Sequence, residues 1–283
     1  MWTGNEATKM QQITFTAGLR PDRAVFRLDG EDARHFLHNL LTADIDHLNP
    51  GEAAYAALLM PQGKILFDIF VVADGDGFII DCASSRKADL IKRLTFYKLR
   101  AKVTISDLPD KAIGVSPAKV PGGVPDPRWS GMGWRFVADQ GAMPESTDYF
   151  AARIAAGLAD TDADLGSGEY FPHEANLDQL SGVSFTKGCY VGQEVVSRME
   201  HRGLTRSRIL PLTLSRPAPA KGSDIRSGDR LIGTLLSSSG HLALGLIRLD
   251  RLAEAEAPLL TDAVTVTVHK PHWARYEVPG AED

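Results

Sequence analysis

Apolar residues recur along this chain in two periods, and the switches between them mark its elements. Ala24–Leu28 reads as a short strand, stopped by Asp29-Gly30. Over EDARHFLHNLLTADI the spacing turns helical: Ala33, Phe36, Leu37, Leu40 and Leu41 fall on one stripe that ends before Asn49-Pro50-Gly51. Ala53–Leu59 and Lys64–Val72 return to strand-like runs, split by the turn Pro61-Gln62-Gly63, and Gly77–Cys82 follows the DGDG turn. A helix is predicted from a Ser85 cap to Leu99, with Ala88, Ile91, Leu94 and Lys98 along one face. Strands at Val103–Ser106 and Ile113–Ser116 precede a Pro- and Gly-rich excursion over 117–133. Beyond it come a strand at Gly133–Ala138, a short helix at Asp148–Ala156 closed by Gly157, and a long ordered loop over 160–181. From Ser207 onward short apolar runs broken by turns (IRSGDRLIG, SSSGHLALG, APLLTDAVTVTV) predict a small antiparallel barrel or sandwich.

The pattern describes an α+β body followed by a β module. We expect an N-terminal α/β lobe over 12–116, a second over 117–206 interleaved with it, and a barrel over 207–283, with the first dozen residues a loose lead-in. A length of 283 residues suits two or three packed modules, and 43% hydrophobic residues supply their cores. The net charge of −5 offers no general attraction to nucleic acid or to an anionic membrane. The N-terminus has no apolar stretch of secretory type and carries Glu6 early, and the longest apolar run, Ile65–Ala73, is interrupted by Asp68. The expectation is a cytoplasmic protein with no membrane partner.

Candidate chemistry is sparse. Asp160, Asp162 and Asp164 imitate the start of a calcium loop, but the positions that need Gly and Glu hold Leu165 and Phe171, so a solvated acidic loop is expected. His35, His38, His173, His201, His241, His269 and His272 show no metal-ligand spacing, and no metal site is expected. The two cysteines, Cys82 and Cys189, form neither a CxxC pair nor a disulfide framework. Cys189 is distinguished by its company: Lys187 lies two residues away, and Arg198, His201, Arg202, Arg206 and Arg208 follow. Positive charge nearby favours thiolate. Gly188 and Gly192 permit turns that would present the thiol on a loop. Tyr190 offers an aromatic face, and Gln193 and Glu194 offer polar groups for a heterocycle. A reactive, loop-presented thiol and an inert buried cysteine both fit this composition. One thiol cannot hold an iron–sulfur cluster, which takes about four ligands, so cluster chemistry would need a partner. The arginines that follow suit a carboxylate or phosphate.

The stretch FPHEANLDQLSGVSFTKGCYVGQEVVSRMEHRG resembles the signature of the YgfZ-type folate-binding proteins, whose hallmark is K-G-C-Y-x-G-Q-E. Two flanking stretches, DGEDARHFLHNLLTADIDHLNPGEAAYAALLMPQGKILFDIFVV and GTLLSSSGHLALGLIRLDR, resemble the wider glycine-cleavage T-protein superfamily. The resemblance runs from Arg23 to His269. It implies two mixed α/β lobes around a central channel plus a C-terminal antiparallel barrel, with tetrahydrofolate as ligand. It also implies a part in assembling or maintaining iron–sulfur proteins, including enzymes that modify transfer RNA, with assembly proteins or client enzymes as partners. On this reading Cys189, activated by Lys187, is the reactive group. Tyr190, Gln193, Glu194, Glu174, Arg198 and Arg202 are candidates for holding folate: the arginines for its glutamyl tail, Glu174 or Glu194 for its pterin. Aminomethyl-transferring relatives carry an Asp-Asp pair where this chain reads Phe67-Asp68. A phenyl ring takes no proton, which points away from aminomethyl transfer. Two alternatives stay open: a one-carbon transferase acting on tetrahydrofolate, and an RNA-binding module using Arg198, Arg202, Arg206 and Arg208, which the acidic net charge disfavours.

Overall fold

The computed structural model describes residues 14–203 and 205–281, so the lead-in expected for the first dozen residues lies outside the described residues. The chain runs β1 (Gly18–Arg20), β2 (Arg23–Asp29), α1 (Ala33–Leu40), β3 (Ala53–Leu59), β4 (Ile65–Asp74), β5 (Gly77–Ala83), α2 (Lys87–Lys98), β6 (Thr104–Asp107) and β7 (Lys111–Ser116). It continues through β8 (Val124–Pro125), β9 (Trp134–Asp139), α3 (Tyr149–Ala155) and α4 (Gln193–Arg202). The last quarter holds β10 (Ser207–Leu214), β11 (Asp224–Ser227), β12 (Arg230–Ser239), β13 (Leu242–Arg248), α5 (Leu249–Leu252), β14 (Leu259–Thr261) and β15 (Val264–Val268).

These strands make three sheets. One has five strands in the order β3-β4-β5-β2-β6, one has four in the order β1-β7-β9-β8, and β10-β13-β12-β11-β14-β15 close into a barrel. The expected division at 116/117 therefore cuts through a sheet, because β1 and β7 pair with each other and β7 pairs with β9. Period-two alternation decides which side chains meet which layer. On β4, Phe67, Ile69 and Val71 face α1 and α2, where they pack with Phe36, Leu37, Leu90 and Leu94. Phe70, one residue out of step, faces the opposite way and joins the core between the lobes. That core also takes Val115, Met132 and Tyr149 from the second sheet and α3, and Ile209, Leu236 and Leu244 from the barrel. One apolar interior thus joins all three modules.

Two local expectations change. Ser85 does not cap α2: its hydroxyl donates to Asp162, and a 3₁₀ turn over Ser84–Arg86 leads into the helix. The acidic loop is not solvated, because Asp160 and Asp164 are buried and only Asp162 is exposed. Residues Thr161–Leu165 form a π-helical turn that carries Asp164 inward, with Asp160 at its N-cap.

Candidate functional site

The Lys187–Glu194 segment is built against the first lobe. Ser184 donates its N–H to the Thr42 carbonyl at 2.9 Å, and the Thr42 hydroxyl donates to the Gly182 carbonyl at 2.5 Å, so the chain enters the segment fastened to the residues after α1. Lys187 follows. Its ammonium donates to the carbonyls of His38, Leu41 at 2.6 Å and Ala43 at 3.1 Å. These include carbonyls at the C-terminal end of α1, which helix geometry leaves unsatisfied and which attract a cation. Burial, opposed by Asp44 and Asp46, pulls the Lys187 amine down to about 8. The expected activation of Cys189 by Lys187 is replaced by anchoring: all three ammonium donors are committed to α1 and the residues after it.

Cys189 itself is exposed, which removes the reading of an inert buried thiol; Cys82 is the buried one, and burial pushes its thiol up to about 12. Tyr190 turns inward, its ring 5.1 Å from the Lys187 ammonium, and burial pushes its phenol up to about 12. Gly192 sits at φ +81, and a Cβ there would come within 2.6 Å of the Met60 carbonyl oxygen. Its neighbour across the contact is Gly63, at φ +82, where a Cβ would meet Val195 at 2.9 Å. Two backbone turns thus touch at a pair of glycines, which no side chain could share. Gly192 also opens α4, and Gly203 at φ +57 closes it. Gln193 is half-buried at the first helical position.

The other candidates scatter. Glu194 pairs with Arg198 at 2.5 Å on the outer face of α4, and Arg202 is exposed. Glu174 accepts from the Phe171 N–H at 2.9 Å. Arg208 is buried and forked onto Asp178 at 2.6 and 2.9 Å, so the four arginines of the RNA reading share no single surface. Among the described residues one group has metal-like proximity: His173, Asp178 and Glu200. The buried His173 Nδ1 has no partner, whereas a metal-bound imidazole needs an acceptor for that N–H, and Asp178 is already taken by Arg208.

Between the lobes lies a network that the sequence did not announce. Arg23 donates to Asp81 at 2.7 Å, Arg135 donates to the same carboxylate, and Arg128 pairs with Asp126 at 2.8 Å. Arg20 reaches Asp160 at 3.1 Å, and Arg153 reaches Asp164 at 2.7 Å. Burial alone would raise the Asp160 carboxyl, but Arg20, Arg153, Arg23 and Arg128 together hold it well below the usual carboxylate range. Asp68 is the exception. It accepts from the Tyr55 hydroxyl at 3.2 Å, its Oδ1 has no partner among the described residues, and burial, opposed by Arg23 and reinforced by Asp160, pushes its carboxyl up to about 6. Phe67, on the other face of β4, packs under α2 with Arg86 stacked on its ring at 5.1 Å. The departure from the Asp-Asp pattern therefore falls in the separate core under α1 and α2, and the carboxylate that faces the interlobe core is retained. A cleft of about 490 Å³ opens beside this network, its walls including Arg20, Arg23, Arg153, Asp160 and Phe150. None of the sequence-selected candidates lines it. The network is gathered from segments dozens of residues apart, around 20, 81, 126, 153 and 160, and the one available signal was the acids at 160 and 164 inside an otherwise ordered loop.

Comparison with known proteins accounts for this architecture. Residues 206–276 match the family model described as the CAF17 C-terminal beta-barrel domain. The chain is 31% identical to the mouse (Mus musculus) iron–sulfur cluster assembly factor IBA57, mitochondrial, over 92% of this chain and 86% of that protein. The human (Homo sapiens) factor of the same name is 29% identical over 81% of this chain and 76% of its own length. In structure, the glycine cleavage system aminomethyltransferase T from Bartonella henselae superposes with a TM-score of 0.75 at 15% identity, covering 94% of this chain and 89% of that one. At that identity the likeness establishes a T-protein-like fold. Both IBA57 relatives are named as mitochondrial, which overturns the cytoplasmic expectation and points to mitochondria. Among the described residues no helix is long and apolar enough to cross a membrane. On the identity and coverage of the mouse relative, this chain belongs to the IBA57 family of iron–sulfur cluster assembly factors, built on the T-protein fold with a CAF17-type barrel at its C-terminus.

Proposed function

We propose that this protein serves iron–sulfur cluster assembly, as the resemblance of its octapeptide to the YgfZ-type proteins implies, and that it does so by offering the Cys189 thiolate as a single ligand to a cluster that a partner completes. The observation that carries this reading is one exposed thiol on a loop fixed at both ends, by the Lys187 clamp on one side and the Gly192–Gly63 contact on the other. A cluster takes about four ligands. Cys82 is buried under helices α1 and α2, so further thiolates have to come from an assembly protein or client enzyme. Effects on enzymes that modify transfer RNA would then be indirect, through their clusters.

Tetrahydrofolate is the ligand we assign to the interlobe region. The fit is one of charge and unsatisfied atoms: buried guanidiniums of Arg20, Arg23 and Arg153 border the cleft, and Thr161 Oγ1 and Asp68 Oδ1 are buried without partners among the described residues. Arginine forks would hold the glutamyl carboxylates, and Asp68 with Tyr55 would face the pterin. This replaces Arg198 and Arg202 as the holders of the tail, since both lie exposed on α4 and neither lines the cleft.

The test is cluster transfer from a loaded assembly partner, with the variant Cys189→Ser. Loss of transfer with an unchanged melting temperature is expected; transfer at the wild-type rate would remove the thiol from the mechanism. Isothermal titration with tetrahydrofolate checks the ligand. Arg153→Met should abolish binding and Cys189→Ser should preserve it, while equal binding by both would reject the interlobe assignment. The retained Asp68 also favours a second reading, one-carbon transfer to tetrahydrofolate, and formation of methylene-tetrahydrofolate from an aminomethyl donor, with ammonia as the leaving group, would establish it.

A further inference from the structure

Helix α2 carries a surface that neither the Cys189 loop nor the interlobe cleft uses. Lys92, Arg93, Phe96, Leu99 and Arg100 are all exposed, and steps of three and four residues place them along one side of the helix and its end. Phe96, 71% exposed, and Leu99, 86% exposed, are by a wide margin the most exposed large apolar side chains among the described residues. Leu99 is held at φ +45, a backbone region that a leucine rarely adopts. Water-facing apolar groups of this size, side by side, mark a surface that meets something else.

Beside the stripe is a cleft of about 470 Å³ whose walls include Leu66, Phe67, Arg86, Lys92, Arg93 and Phe96. Its floor is prepared. The Arg86 guanidinium stacks on Phe67 and donates to the Ser167 hydroxyl at 3.0 Å, yet among the described residues its Nε has no hydrogen-bond acceptor, and the Asp89 carboxylate stands off at 4.0 Å. Lys92, Arg93, Lys98 and Arg100 form no ion pair among the described residues, whereas their neighbour Lys87 is paired with Asp107. On a chain of net charge −5, this is a local concentration of unneutralised cations framing apolar groups.

We propose that this cleft and stripe dock an acidic segment of a partner protein. An aromatic or branched aliphatic side chain would enter between Phe67 and Phe96, with flanking carboxylates on Arg86, Lys92 and Arg93. The concave shape and the fixed, stacked guanidinium favour a side chain with its own carboxylate neighbours over a bilayer, which needs only a flat or convex apolar face. The surface uses no atom of the Cys189 loop, so it stands or falls separately from the proposed cluster chemistry.

The probe is a short fluorescein-labelled peptide of Glu and Asp around one central Phe, read by fluorescence anisotropy on the full chain. Its Gln/Asn counterpart and vesicles containing anionic phospholipid are the comparisons. The acidic peptide is expected to bind, to weaken as salt rises, and to bind at least tenfold more tightly than the neutral one. Phe96→Ser and the pair Lys92→Glu with Arg93→Glu should each weaken it tenfold or more, while Cys189→Ser leaves it unchanged. All of the altered side chains are exposed, and circular dichroism confirms that the variants fold. Equal binding of the two peptides, full binding by both docking variants, or association with the vesicles alone would overturn the proposal.

Discussion

Asp68 illustrates how placement inside a buried ion network sets the state of one residue. The buried guanidiniums of Arg20, Arg23, Arg128, Arg135 and Arg153 pair with the buried carboxylates of Asp81, Asp126, Asp160 and Asp164, and Arg20 also with the exposed Asp22. Asp68 is buried beside them with no guanidinium within salt-bridge distance among the described residues, and burial raises it to about 6. It holds its proton more tightly in the folded state than in the unfolded one. The protonated carboxyl therefore contributes stability below the ordinary carboxylate range, and that contribution is lost as pH rises through about 6. Asp68→Asn keeps an acceptor for Tyr55 and carries no charge. It should be more stable than the wild type at pH 8, by on the order of 3 kcal/mol. The difference should vanish near pH 4, and urea midpoints across that range check it. The sequence could mark Asp68 as the retained half of an Asp-Asp pattern but not as an interior acid, because the groups around it come from β2, from β3 and from the segments after β8 and α3.

At the scale of elements, α1 was legible from its apolar stripe and β2–β7 and β9 from short apolar runs between turns, whereas β1 and β8 were not, being two or three residues long. Helix α4 was not: only Val196 among Gln193–Arg202 is buried, so no apolar stripe marks it. Two left-handed glycines set its limits instead, and the first is shared with the octapeptide. The octapeptide's glycines then separate by role. Gly192→Ala forces a Cβ onto Met60 at a positive φ and should lower stability by about 2 kcal/mol or more. Gly188→Ala meets nothing within 4 Å and should change it by less than about 0.5 kcal/mol. Denaturant midpoints and hydrogen exchange over 184–193 measure both, and the first variant should also loosen the thiol loop. Lys187 shows the limit of reading chemistry from neighbours in sequence. Two residues from the cysteine, it looks like an activator, whereas the fold directs it backwards to α1.

The whole molecule is held together by the same ions that border the cleft. Arg153 on α3 bonds Asp164 and the Ser237 hydroxyl of β12, and Asp164 accepts from the Ser237 N–H at 3.0 Å, so one pair fastens the second lobe to the barrel. Asp160 sits where Arg20, Arg23, Arg128 and Arg153 converge. Removing its charge strands buried guanidiniums, and Asp160→Asn should cost about 3–5 kcal/mol. Calorimetry would register this as a lower melting temperature, with the barrel transition separating from the rest if Arg153 loses its place. The barrel was legible from its short broken runs, but its attachment was not, since attachment depends on residues that each read as ordinary surface charge. The strand β1 carries a consequence of a different kind. Gly18 lies opposite Val115, so β1, the earliest of the described strands to be synthesised, has no partner until most of the first lobe and β7 have followed. Pairing across that sequence distance is slow, and the waiting segment stays open to aggregation or to a chaperone's grip. A chain cut after β6 would be left with an orphaned edge, and the newborn protein is at its most vulnerable over the same interval.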